Sequence, residues 1–492
     1  MLRNYFLVTL RNMVRNKLFT LINILGISVS LACCILLFSY ATRELGYDRQ
    51  NENVYRLTTE ISQKDGQVFK LGSSSVPIAP SMQQEIPEVV LAVRAANTDF
   101  FGYENLIKYE NNSWYIRDAY FVDSSFFGVL KYKIIRGSAD RPFTNNSSAV
   151  IEKEWADKIF GQADPLGKIV RVMTAFGPAD LEISAVYDKS AENSHLTPSM
   201  MVPMSNTVCN SFFNKEQTNW IGENMVFSYA RLSQGADPKA AERKLNNLIK
   251  KRGGDEMKLM GVSKIMKFQA ATSIHTDNEV YMANIPGVVS GTVIRVLILI
   301  GIMILTLACV NYINLSTAQA GNRALEVGVR KVMGVTPRGL FIQFLGESFL
   351  LVFISLLVSV MIARLALPAF NQLIDKPLSF TPAFYKTLGE FLALFLLVTG
   401  LAAGFYPAIY LASFRPAMVL KGRSRDRVGT SFLRKGLVVF QFVISIALIS
   451  SILIITNQVK FIKNKELGFN KNSKLVITMG TDDAIKQYEA LK

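Results

Sequence analysis

Residues 18–42 read LFTLINILGISVSLACCILLFSYAT, and residues 43–48 follow at once as RELGYD. The first string carries no charge and exceeds the roughly 20 residues needed to cross about 30 Å of hydrocarbon at 1.5 Å per residue. Basic residues precede it, as in a secretory signal, yet it is too long for a signal core. No small-residue cleavage site separates it from RELGYD, so it reads as an uncleaved anchor. Four further runs of the same kind lie at 293–315, 340–367, 391–411 and 436–456, and all five are predicted to be transmembrane helices. Half of the 492 residues are apolar, so the fold class is a membrane protein: an α-helical transmembrane bundle of five spans carrying a large α+β extracytoplasmic domain.

The formal charge of +16 would suit nucleic acid, but its placement points elsewhere. Arg3, Arg11, Arg15 and Lys17 fall in the leader at 1–17. Arg323, Arg330, Lys331 and Arg338, against Glu326, fall in the loop at 316–339. Arg415, Lys421, Arg423, Arg425, Arg427, Arg434 and Lys435, against Asp426, fall in the linker at 412–435. These three stretches alternate along the chain, as the positive-inside rule requires if all are cytoplasmic. Residues 43–291 and 457–492 are then outside, and no basic stripe is left over for nucleic acid. The leader also places Leu2, Phe6, Leu10 and Met13 on one helical face, so it reads either as an amphipathic helix on the inner leaflet or as a plain topogenic segment.

RELGYD has a near repeat, KELGFN at 465–470, again just after an apolar run and again followed by β-like residues, KLVITM at 474–479. The simplest reading is an internal duplication in which 457–492 opens a second outer domain and the chain stops early in its second half. Within 43–291, pieces such as NVYRLTTEI, SWYIRDAYFVD and LEISAVY alternate in strand fashion between Gly, Pro and Asn clusters. Residues 237–253 read as a surface helix with Asp237 as N-cap, Pro238 at N1 and Gly253 near its stop. Of the four cysteines, Cys33, Cys34 and Cys309 sit in predicted spans and Cys209 stands alone outside. No disulfide framework is available.

Catalytic signatures are sparse. His195 and His275 are the only histidines, without metal-ligand spacing to other ligands, and read as ordinary domain residues. GQADPLGKIV at 161–170 fails as a phosphate loop, because five residues separate Gly161 from Gly167 and Ile169 stands where Ser or Thr is needed. Glu347, Arg295 and Arg364 are the charges noted in or near spans, too few for an ion path. Gly400 and Gly404 make a GxxxG pair for close helix packing, and Pro407 is expected to kink or end its helix. In RALEVGVRKVMG the residues Ala324, Val327 and Lys331 share a side, so the stretch reads either as a short helix at the cytoplasmic face, suited to docking a soluble partner, or as a basic loop that only sets topology.

Taken together, RNMVRNKLFTLINILGISVSLA, ELGYDRQNENVYRL, FGQADPLGKIV, EVGVRKVMG with FIQFLGESFLL, and GFYPAIYLASFRPAMVLKG resemble the MacB/FtsX-like family of ABC transporter permeases, the mechanotransmission type. The resemblance implies a bacterial inner-membrane, multi-pass permease with a cytoplasmic N-terminus and a MacB-like periplasmic core domain. It implies no cofactor bound directly; ATP and Mg would act through a cytoplasmic ATPase dimer that presses on the short loop, with Glu326, Gly328, Arg330, Lys331 and Gly334 as coupling contacts. A second permease half or a periplasmic adaptor are further partners it brings to mind. It also implies the duplicated, eight-span type, here cut short. The alternative reading is a membrane receptor whose outer domain senses a ligand.

Overall fold

The computed structural model describes residues 11–101, 105–189, 193–280, 287–375, 378, 382–412 and 428–465. The chain divides into two compact units and passes between them at 42/43 and at 291/292.

The first unit is helical. Helix α1 spans Lys17–Glu44; the remaining long helices of this unit lie after residue 290. Among its described residues the second unit holds five shorter α-helices, α2 Ile78–Glu85, α3 Lys153–Phe160, α4 Thr207–Lys215, α5 Pro238–Met260 and α6 Ala271–Ile274. The chain then returns through α7 Gly291–Val332, α8 Pro337–Ile374, α9 Pro382–Ala412 and α10 Val428–Asn464. Five of these helices are long and apolar enough to cross a membrane. Ile27 and Leu31 of α1, Cys309 and Tyr312 of α7, Leu351 and Val352 of α8 and Ala403 of α9 form one buried cluster, with Met13 packed among them. Hydroxyl and thiol donors tie the helices further: Ser28 Oγ donates to the Ser355 carbonyl at 3.0 Å and Cys34 Sγ to that of Gly301 at 3.3 Å. In lipid, where apolar contact between helices gains little, such close packing and polar ties carry the association.

The expected helix boundaries change here. The predicted span 293–315 and the loop 316–339 are one continuous helix, α7, of 42 residues. The polar residues after 315 do not stop a helix, and nothing before Gly334 and Pro337 does. Of the two outcomes expected at Pro407, termination is excluded, since α9 continues to Ala412; the amide it lacks is one that membrane helices can lose without unwinding. All five predicted spans are helices, but no described residue of 434–464 in α10 is buried, unlike the other four. The leader before residue 11, most of the basic linker and everything after Lys465, including the second ELGFN and KLVITM, lie outside the described residues.

The second unit is built on one sheet. Its strands are β1 Val54–Gln63, β2 Val68–Leu71, β3 Val89–Asn97, β4 Asn105–Tyr109, β5 Asn112–Ile116, β6 Ala119–Val122 and β7 Ile134–Gly137. They continue as β8 Ser148–Glu152, β9 Ile169–Thr174, β10 Gly177–Tyr187, β11 Met200–Pro203, β12 Phe227–Leu232 and β13 Val262–Ala270. The spatial order is β13-β1-β12-β3-β6-β11-β8-β10-β9-β4-β5, with β2 on β1 and β7 on β10. Most pairs are antiparallel; β10 with β8 and β11 with β6 are parallel. Burial is heaviest in the centre of this order: β6, β8 and β11 have every residue buried, as expected for strands covered on both faces.

Helix α5 starts as expected, with Asp237 accepting from the Lys239 amide at 3.0 Å and Pro238 in the first turn. It does not stop at Gly253. That glycine is buried, a Cβ there would meet Ile221 at 2.6 Å, and the stop is Gly261 in the left-handed region. Nor is α5 only a surface helix, since Ala241, Leu245, Leu248 and Ile249 are buried in the cluster with Leu57, Ile78 and Met82. Cys209 is buried, and burial pushes its thiol up to about 12.

Candidate functional site

The stretch singled out for partner contact closes the hairpin of α7 and α8. Helix α7 ends in a paired backbone motif: the Gly334 amide donates to the Lys331 carbonyl at 3.1 Å and the Val335 amide to that of Arg330 at 3.0 Å. This is the Schellman arrangement, and Gly334, at φ +93°, supplies the left-handed residue it needs. Thr336 then caps α8, its Oγ1 accepting from the Gly339 amide at 3.2 Å, and Pro337 fills the first helical position. Both helix ends are thus fixed within four residues, so the tip is a stiff corner rather than a loop.

The predicted contact residues have different local roles. Glu326 and Arg330 are on the surface but paired to each other at 2.5 Å, one helical turn apart. Gly328 is buried, Lys331 is half-buried, and Gly334 makes the turn with open space around its Cα. The residues that reach outward are apolar ones the charge pattern drew attention away from: Val329, Val332 and Met333 are 46%, 66% and 80% exposed. Their signal in the sequence was VRKVMGV itself, apolar residues crowded onto a helix stop where solvent would favour polar ones.

Behind the tip, Arg323 of α7 donates to Glu347 Oε1 of α8 at 2.7 Å, with both side chains mostly buried. The second carboxylate oxygen of Glu347 is buried and finds no partner among the described residues. Tyr312 Oη and Ser348 Oγ meet at 2.8 Å across the same two helices. A cavity of about 30 Å³ lies among Thr20, Tyr312, Ser316, Arg323, Glu347 and Ser348, room for about one water beside that oxygen. On the other side of α8, a Cβ at Gly400 would come within 2.7 Å of the Phe349 ring, and one at Gly404 within 2.8 Å of Ser348 Cβ. Helix α9 therefore lies against α8 at a distance that these two glycines permit. Among the described residues no group of three or more His, Cys, Asp and Glu side chains is placed to hold a metal.

The arrangement has the parts of a mechanical element: a capped tip with apolar faces outward, and a buried ion pair that ties the two helices just behind it. It defines a helical membrane protein with a large extramembrane α/β domain. The MacB-like periplasmic core domain matches residues 20–248 and the FtsX-like permease C-terminal domain matches residues 298–416. The chain belongs to the MacB/FtsX-like permeases. It is 24% identical over 306 residues to the macrolide export ATP-binding/permease protein MacB of Neisseria gonorrhoeae, covering 60% of this chain and 42% of that one. It is 22% identical over 443 residues to the MacB of Pasteurella multocida, covering 85% of this chain and 61% of the relative. The chain thus spans about two fifths of the length of the first of these and three fifths of the second. Among solved structures it is similar to the periplasmic region of MacB from Actinobacillus actinomycetemcomitans, at 16% identity and TM-score 0.30 over 44% of this chain and 89% of that one. It is also similar to the extracellular domain of the noncanonic ABC-type transporter YknZ from Gram-positive bacteria, at 18% identity and TM-score 0.30 over 44% of this chain and all of that one.

Proposed function

We propose that the protein is the permease subunit of an ABC transporter and that a partner ATPase drives it by docking on the α7–α8 tip. ATP and Mg bind in that partner, not in this chain. The partner meets Val329, Val332 and Met333, with the Glu326–Arg330 pair and Lys331 beside them, and its closure moves α7 and α8 together because Arg323 and Glu347 couple them. The outer domain answers with a change of shape, which serves efflux, release of a lipoprotein or transmission of force. In this reading the tip is cytoplasmic, the N-terminus is cytoplasmic and residues 43–291 are periplasmic, in a bacterial inner membrane.

The observation that carries the reading is the exposed apolar tip, fixed by caps on both sides, in the stretch EVGVRKVMG of an FtsX-like permease domain. Reversing the charges of Glu326 and Arg330 would leave their mutual pair intact and so tests little. Val332→Glu combined with Met333→Asp changes only exposed positions. Tagged protein purified from its native cell should bring down an ATP-hydrolysing subunit, and the double variant should lose at least tenfold of it. Equal recovery with both proteins, or no ATPase with either, would overturn the docking reading.

A further inference from the structure

The two histidines of the chain are both buried in the second unit, and both are held by the same five residues, Glu44 to Asp48. His275 Nε2 donates to Glu44 Oε2 at 2.6 Å, and the Tyr47 ring stacks on the His275 ring with centroids 3.5 Å apart and planes 5° from parallel. His195 Nδ1 donates to Asp48 Oδ2 at 2.7 Å, and the His195 amide donates to the same oxygen at 3.0 Å. Tyr229, whose hydroxyl burial keeps protonated, meets His195 Nε2 at 2.8 Å. Asp48 itself takes φ 57°, a left-handed conformation that short polar residues tolerate, and its amide donates to the Asn193 carbonyl at 2.8 Å.

The other end of this unit arrives at the same place. The Val289 amide donates to the His275 carbonyl at 3.1 Å, and the Gly291 amide donates to the Thr276 carbonyl at 2.9 Å. Residue 44 closes α1 and residue 291 opens α7. His275 therefore binds the incoming chain through its ring and the outgoing chain through its backbone. Arg56 lies fully buried nearby, donating twice to Gln269, which in turn donates to Asp277 at 2.8 Å. A buried polar network of this kind is costly to break at one member, because the remaining members lose partners they cannot replace with water.

We propose that His275 is a positioning residue: stacked on Tyr47 and bonded to Glu44, it locks the segment that leaves α1 and the segment that enters α7 into one junction, so that the outer domain receives a displacement of these helices as a single input. This deepens the permease reading and rests on it for its purpose, but the junction is testable without any ATPase. In the full-length protein in lipid nanodiscs, hydrogen exchange should report 44–51 and 287–291 as one protected unit. His275→Ala should speed exchange in both segments at least tenfold while β3 and β12 keep their protection. His275→Gln, which returns an amide donor near the Nε2 position, should restore protection in both.

A change confined to 271–277, or faster exchange in only one segment, would overturn the proposal. If His275→Ala fails to fold, Tyr47→Leu removes the stacked ring while leaving the His275–Glu44 bond in place, and must loosen 287–291; wild-type exchange there would overturn the proposal equally. With the native ATPase present, spin labels across the outer domain should shift on addition of ATP in the wild type and in His275→Gln. They should lose at least half of that shift in His275→Ala. Loss of the shift in all three, with the exchange pattern as expected, would sink the permease reading and leave the junction standing.

Discussion

Lys264 is a buried lysine of the outer domain held only by neutral groups. Its Nζ donates to Ser75 Oγ at 2.7 Å, Trp220 O at 2.9 Å and Asn224 Oδ1 at 2.7 Å, with no carboxylate among these partners. Burial pulls its ammonium from 10.5 down to about 7, against a weaker pull upward from Glu256. Below about 7 the amine is protonated in both folded and unfolded chains. Between there and 10.5 the unfolded chain holds a proton that the folded one has released, so stability rises with pH across that window. The melting temperature of the full-length protein relative to Lys264→Met should therefore climb from pH 7 to pH 9.5; a difference that stays flat would refute the assignment. Gly334 offers a second test at this scale. Any residue with a Cβ pays about 1–2 kcal/mol in the left-handed region, so Gly334→Ala should loosen the tip by about that much, seen as faster exchange of the Val335 amide. Cys209 should stay unmodified by thiol reagents in the native protein, because the thiolate is disfavoured and the sulfur is covered. None of these three environments is readable in the sequence: Lys264 draws its partners from 40 to 189 positions away, Gly334 is set by its backbone angle, and the burial of Cys209 follows from the packing of a core cluster that runs from Val76 to Val226.

At the scale of elements, what the sequence made legible was hydrophobic length and local caps. The five apolar runs became helices, and Asp237 and Pro238 open α5 as their side chains require. Where an element ended was less legible. Polarity changes at residue 316 and suggests a boundary there, but polarity decides what a helix faces and not whether it continues. At 1.5 Å per residue the 42 residues of α7 extend about 63 Å, roughly twice the hydrocarbon thickness. The candidate site suffered from the same confusion, since charge marked the stretch correctly while the outward side chains at its end are valines and a methionine. Packing of α8 on α9 can be tested directly. Gly400→Leu should cost about 1–3 kcal/mol by forcing a side chain into the Phe349 ring. Gly389→Ala, which meets nothing within 4 Å on the same helix, should cost nothing or stabilise by up to about 1 kcal/mol. The two can be compared by unfolding in mixed detergent, and equal effects would refute the close approach.

For the whole molecule, the arrangement of charge makes a prediction about sides. Lys251 is exposed in the outer domain and Gly334 is exposed at the tip. Cysteines placed at these two positions, in a background with the native thiols replaced, should differ: an impermeant maleimide added to spheroplasts should label the first and spare the second. The opposite pattern would reverse the proposed orientation. The histidines carry the more general lesson. Their pairing with Glu44 and Asp48 joins residues 231 and 147 positions apart, which no local pattern encodes, although RELGYD was conspicuous for being used twice.

Helix α10 invites a different kind of experiment. Its exposed side chains Val439, Phe442, Ile446, Ile449 and Leu453 share one helical stripe, while Leu437, Gln441, Ile444, Ser445 and Leu448 on the opposite side are half-buried. Over these turns the rod has a greasy flank and a shielded one. Saturation mutagenesis of 437–453 should tolerate changes of size along the first stripe, graded by lipid solubility, and lose tolerance along the second; a profile without that periodicity would refute the difference between the two sides.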